Sequence, residues 1–172
     1  PATVAHSAIK GEIADPRGKS HNDKFPYEKE QSPSVTIDKD ENRRINGVWN
    51  YKDVDSLNTD QMFAGNLTYE VPSSDPEAIM PHLFKGFDEN FAENVQEDDI
   101  IIAGENFGCG SSREHPAVGL GYAGVKAVIV KSANRIFYRS SINQGLPLIV
   151  NREVVEAYQS GDKVDIDFKK GI

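Results

Sequence analysis

Between residues 99 and 150 three short apolar runs alternate with two stretches of helical spacing, and this alternation restricts the possible folds more than any other feature of the chain. Residues 99–103 (DIIIA), 127–131 (AVIVK) and 147–150 (PLIV) are short, rich in β-branched side chains and bounded by turn formers, as strands buried on both faces are. Residues 117–123 carry a helical pattern that ends near Gly124, and residues 136–142 carry a second that stops at Gly145. A β-α-β-α-β succession favours a parallel sheet with right-handed crossovers, so the expected class is α/β. Ahead of this unit, residues 45–51 (INGVWNY) alternate and predict one more strand, followed by a turn over 53–58. Residues 75–83 start as a helix should, with Ser74 or Asp75 as cap, Pro76 in the first position, and Ile79, Met80 and Leu83 at helical spacing. Residues 87–95 predict a second short helix, 154–158 a helical turn and 163–168 an alternating strand. Residues 18–44 are polar, with Pro26 and Pro33, and read as a linker or arm in which only 35–37 are strand-like.

Composition removes several function classes. A length of 172 residues suits one domain with an extension. A net charge of −8 without any basic cluster speaks against a nucleic-acid surface. No apolar run approaches the roughly 20 residues that cross a bilayer, and the first residues lack the pattern of a signal peptide, so a soluble, cytoplasmic or mitochondrial-matrix protein without a membrane partner is expected. The single cysteine, Cys109, excludes an internal disulfide framework and is too few to hold an iron–sulfur cluster. No metal ligand set is expected in this chain.

The segment GENFGCGSSREHP (104–116) joins the end of one predicted strand to the start of a helix, the place where open α/β sheets bind ligands. Its glycines let the backbone approach a ligand, and the amides at the helix start favour an anion. GxGxxG is absent and no GK[ST] follows, so neither a dinucleotide nor a phosphate loop is implied. Ser111 and Glu114 have the S-x-x-E spacing of a capping box, a purely structural role. A cap needs one serine, however, and here two serines stand beside Arg113. A serine on a glycine turn, with amides and a guanidinium beside it, has the surroundings of an alkoxide base. A serine hydrolase using Ser111 and His115 is disfavoured by the missing GxSxG elbow and by the helical position of His115.

At these residues the chain resembles the aconitase superfamily, in particular its swivel domain, the small subunit of isopropylmalate isomerases and of many homoaconitases. GENFGCGSSREH is similar to the family's signature loop. DVDSLNTDQMFAG (53–65) resembles its N-x-[DN]-T-D-Q-I segment, and KSANRIFYRSSINQGLPLI (131–149) resembles S-F-A-R-I-F-x-R-N-x-I-N-x-G-L. The three occur in the family's order over residues 45–150. The resemblance implies a three-layer β/β/α swivel domain that closes over a [4Fe-4S] cluster bound by a larger partner domain or subunit. It implies a hydro-lyase of the aconitase and isopropylmalate dehydratase type, active only with that partner, in which a 2-hydroxy acid loses water and regains it with the hydroxyl on the next carbon. Carried over by position, Ser111 is the catalytic base, Ser112 and Arg113 bind substrate carboxylate, and Asp60 belongs to the same site by orienting a basic group. Where small subunits carry Pro-Ala-Arg or Pro-Gly-Arg after TDQ, this chain has Phe-Ala-Gly-Asn, so Asn66 replaces a basic side chain. Arg135 and Arg139 are local candidates for the carboxylate left over, or a structural pair on a helix, and the loop 66–74 is expected to meet the substrate's distinguishing group. The first segment, ATVAHSAIKGEIADPR, resembles the end of the cluster-bearing part of bacterial single-chain aconitases. Residues 1–44 are therefore expected to be the tail of a preceding domain with a linker, residues 45–172 the swivel domain, and the enzyme an aconitate hydratase. The alternatives are the small subunit of an isopropylmalate isomerase or homoaconitase, and a non-catalytic binding module.

Overall fold

In a computed structural model of the chain, residues 43–170 are described. Five strands form one sheet in the order in which they occur: β1 (Arg44–Ile45), β2 (Val48–Tyr51), β3 (Ile100–Ala103), β4 (Ala127–Val130) and β5 (Leu148–Val150). β1 runs antiparallel to β2, and all later neighbours are parallel. The single strand expected over 45–51 is instead a hairpin. Asn46 and Gly47 have φ of 53° and 76°, the pair of positive values that a two-residue turn needs, and Ile45 faces Val48 across it.

The helices are α1 (Thr59–Met62), α2 (Pro76–Ile79), α3 (Phe91–Asn94), α4 (His115–Tyr122), α5 (Arg135–Asn143) and α6 (Arg152–Ala157). The helix expected over 75–83 starts as read, since the Asp75 carboxylate accepts from Ala78 N at 3.1 Å. It gives way after Ile79 to a 3-10 turn, Met80–His82, because Pro81 has no N–H for the turn before it. Of the helix expected over 87–95 only α3 forms. Just before it, the buried Asp88 carboxylate takes the Asn90 amide at 3.0 Å and the Tyr51 hydroxyl at 2.9 Å, which holds the chain in a turn.

Alternation along the strands sorts two apolar layers. Trp49, Tyr51, Ile101, Ala103, Val128, Val130 and Leu148 face one side, where Phe63, Ile79, Leu83, Phe84 and Phe91 of the first crossover, Ala117 and Leu120 of α4, and Phe137 of α5 cover them. All three crossovers lie on this face, as right-handed connections must when each strand is added on the same side of the last. Val48, Ile100, Ile102 and Ile129 face the other way, onto Val155 of α6, Tyr158, Val164 and Ile166. The strand expected over 163–168 pairs with nothing among the described residues; its alternation reflects burial of Val164 and Ile166 against the sheet. No helix of the described residues is long and apolar enough to cross a membrane. Residues 1–42, on which the expected tail, linker and strand at 35–37 fall, lie outside the described residues, and Arg44 already belongs to β1.

Candidate active site

The segments that leave β2, β3 and β4 meet at the carboxyl end of the sheet, and hydrogen bonds between them shape the loop before α4. Its first part is threaded between neighbours: Ser56 N donates to Glu105 O at 2.7 Å, Glu105 N to the Asp55 carboxylate at 2.7 Å, and Phe107 N to Ser132 O at 3.0 Å. Asn134 N returns to Phe107 O at 2.8 Å, while Gly108 N donates to Leu57 O at 2.8 Å. At Gly108 φ is 74° and a methyl group would overlap the Phe137 ring, so the loop turns here because no side chain stands in the way. Gly110, with φ of 99°, bends the chain again beside Thr59. From there Thr59 N holds Cys109 O at 2.8 Å, and Thr59 Oγ1 holds Ser111 O at 3.0 Å.

The second wall of the site is α1. Asn58 caps it by accepting from Gln61 N at 2.8 Å, and the Gln61 side chain returns to Asn58 N at 2.9 Å. This capping box sets Asp60 outward, toward the loop. Arg113 Nη1 donates to Asp60 Oδ1 at 2.6 Å and to Phe63 O at 3.3 Å, and Nη2 donates to Ser111 Oγ at 3.2 Å. The arginine side chain is 18% exposed and the aspartate 52%. Gly65 closes the corner: a Cβ there would lie 2.7 Å from both Arg113 Nη2 and Asp60 Oδ1. Three of the four residues expected at the site, Ser111, Arg113 and Asp60, are thus in direct contact. Ser112 is exposed beside them, and its hydroxyl makes no hydrogen bond among the described residues.

The capping box expected from Ser111 and Glu114 does not form. Glu114 itself stands at the N-cap of α4 without a side-chain cap, and the Ser111 hydroxyl is taken up by Arg113. Among the described residues none of the amides of residues 111–114 donates a hydrogen bond, so these donors are open to an anion. His115 is directed elsewhere. Its ring is buried and stacked on Phe63, with centroids 4.8 Å apart, and Nε2 lies 2.9 Å from Val71 O, which removes the base that a serine hydrolase would require. Cys109 Sγ donates to Ser56 O at 3.4 Å, and burial pushes its thiol up from its ordinary range. Among the described residues no group of three or more His, Cys, Asp or Glu is placed to hold a metal.

Arg135 and Arg139 are exposed on α5, and neither is among the hydrogen-bond partners of Arg113, Asp60 or Ser111. Asn66 is exposed on the 3-10 turn Gly65–Tyr69, immediately after the glycine that touches Arg113 and Asp60. Thr59, the Phe63 carbonyl and Gly65 were not anticipated. The N-x-x-Q spacing of Asn58 and Gln61 was the available signal for α1, whereas a backbone acceptor and a close approach of glycine carry no local pattern.

Serine, arginine and unspent amides, set at the carboxyl end of a parallel sheet beside the one-turn helix α1, define an α/β domain with a candidate anion site. The sequence model of the family described as "Aconitase C-terminal domain" matches residues 23–153, and the chain belongs to that family, whose fold and aconitase-type hydro-lyase class it shares. It is 43% identical over 117 residues to the 3-isopropylmalate dehydratase small subunit 1 of Methanopyrus kandleri, covering 68% of this chain and 67% of that protein. It is 46% identical over 117 residues to the methanogen homoaconitase small subunit of Methanocaldococcus jannaschii, covering 67% of this chain and 65% of that protein. The crystal structure of 3-isopropylmalate dehydratase (LeuD) from Methanocaldococcus jannaschii superposes with a TM-score of 0.61 at 45% identity, over 70% of this chain and 69% of that one. These relatives favour the small-subunit alternative over the expectation of an aconitate hydratase.

Proposed function

We propose that this chain is the swivel component of a hydro-lyase that moves a hydroxyl between neighbouring carbons of a 2-hydroxy acid of the isopropylmalate or homoaconitate type, with Ser111 as the base. The observation that carries this reading is the Ser111 hydroxyl accepting from Arg113 at 3.2 Å in a loop whose next amides are unspent. A serine hydroxyl is a weak base partner in water. A guanidinium and oriented amides lower the cost of the negative charge on its oxygen, and they do so without reorganising at the moment of reaction. Arg113 is itself held by Asp60 and Phe63 O, which leaves the remainder of its five donors for a substrate carboxylate. Asp60 thereby acts through Arg113, and Ser112 stands ready as a second donor to the same carboxylate.

The [4Fe-4S] cluster implied by the family does not fit residues of this chain. There is one cysteine, too few for a cluster that takes about three or four thiolates, and no ligand group is assembled among the described residues. A cluster-bearing large subunit or domain is therefore the proposed partner, and this chain's share of the work is carboxylate binding and proton transfer. The test is Ser111→Ala in the assembled enzyme. Turnover should fall by about 10²–10⁴, with KM and iron content little changed, since only a proton-transfer step is removed. Retained turnover with lowered stability would instead make Ser111 a structural residue.

A further inference from the structure

Helix α5 presents to solvent a face that the other described residues leave exposed. Its inner side is Phe137 and Ser141, both buried, with Ser141 Oγ donating to Phe137 O at 2.9 Å. Arg135, Tyr138, Arg139 and Ile142 follow the spacing i, i+3, i+4, i+7 and so form one stripe on the opposite side. All four are exposed, Tyr138 by 39% and Ile142 by 57%. Ile142 also lines a groove with Leu148, Val154 and Phe168, to which Asp165 and Asp167 contribute as well.

The charges of this stripe are as unmet as its apolar surface. Arg44 bridges Asp99, Arg113 bridges Asp60, and Arg152 bridges Glu105 and Glu156. Arg135 and Arg139 make no ion pair or hydrogen bond among the described residues, in a chain whose net charge is −8. Like charges four apart on a helix repel, so the isolated domain carries a small penalty at this position. The helix is also fastened to the active loop, through Asn134 N on Phe107 O and through Phe137 packed over Gly108. Whatever engages its first turn comes to rest beside the loop that carries Ser111.

We propose that the stripe Arg135, Tyr138, Arg139 and Ile142 docks the cluster-bearing partner, on a partner surface with two carboxylates about one helical turn apart around an apolar contact. This rests on the hydro-lyase reading above. Charge complementarity and the position beside the Ser111 loop select the occupant: two guanidiniums with no ion pair among the described residues call for carboxylates, and Tyr138 and Ile142 call for apolar surface between them. A free substrate would satisfy the charges and leave the apolar side chains in water.

The test uses the double variant Arg135→Glu with Arg139→Glu and the purified cluster-bearing subunit from the same source, titrated by calorimetry at low and high salt. The dissociation constant is expected to rise by about tenfold or more in the variant, with circular dichroism and melting temperature unchanged. Wild-type affinity should weaken as salt rises, and variant affinity should not. At saturating partner, turnover and KM should return to wild-type values. Unchanged affinity overturns the inference. So does unchanged affinity with a raised KM, which would make the arginines substrate ligands, and so does loss of self-association alone, which would seat a second copy on the stripe. If the wild-type chain binds no cluster-bearing subunit and Ser111→Ala leaves activity intact, the hydro-lyase reading fails and takes this inference with it. Normal Ser111 dependence with undiminished binding of the variant overturns the docking stripe alone.

Discussion

Arg113 has a carboxylate on one nitrogen and a hydroxyl on the other, and only a planar fork reaches both at once. Arg113→Lys should therefore raise KM roughly ten- to hundredfold, equivalent to about 1.5–3 kcal/mol for a lost charge-assisted bond, while thermal stability barely moves. Asp60→Asn should reproduce part of this effect by releasing the guanidinium, and adding it to Arg113→Lys should cost little more, because the two residues act as one unit. Steady-state kinetics over several 2-hydroxy acids check both statements; a lysine variant with unaltered kinetics would remove Arg113 from the site. That Ser111, Arg113 and Asp60 come together was expected from two stretches, 53–65 and 104–116, that resemble motifs of one family. Gly65 and the Phe63 carbonyl were not, since one acts by having no side chain and the other through its backbone.

The join between the active loop and α5 leaves no room for a side chain. Gly108→Ala introduces a methyl at positive φ against the Phe137 ring, and it should destabilise the protein by about 2–4 kcal/mol, read from denaturant midpoints. Combined with Phe137→Ala, the loss should be less than the sum of the two, because the space left by the ring accepts the methyl; strict additivity would mean that the overlap is not what holds Gly108 in place. The central strands and the two later helices follow from the sequence within a residue or two, since β3 and β4 are buried at every position and Gly124 and Gly145, both at positive φ, end the helices. The hairpin at Asn46 and Gly47 was hidden inside an alternating run. The pattern at 163–168 answered to a buried face that a ladder would have produced equally well.

For the whole molecule, alkali is the condition that probes the core. Tyr51 is buried, with its hydroxyl on Asp88, and burial followed by the Asp88 charge pushes its pKa well above the ordinary value of 10.0. A pKa raised in the folded state means that this group's stabilising contribution is complete below about pH 10, and it is lost as pH rises from there through the folded value. Melting temperature should thus fall above about pH 10. Tyr51→Phe should be less stable at neutral pH, by about 1–3 kcal/mol for the Asp88 partner left behind, and should show a flatter alkaline decline. An unchanged alkaline slope would place the sensitive group elsewhere, with Tyr158, also raised chiefly by burial, the next in line. The α/β class was readable because the parallel strands appear as nearly unbroken apolar runs, whereas the cover over the second face was not, because α6 and residues 164–166 show only a few apolar positions each. The strand order carries a consequence for biosynthesis. Each strand lies next to the one made just before it, so a nascent chain can extend the sheet vectorially as it leaves the ribosome, without holding an edge open for a distant segment. The serine loop is the exception to that sequence, since its bend is clamped only when Phe137 emerges some thirty residues later, and the nascent domain gains the first four strands of its sheet before it gains its site.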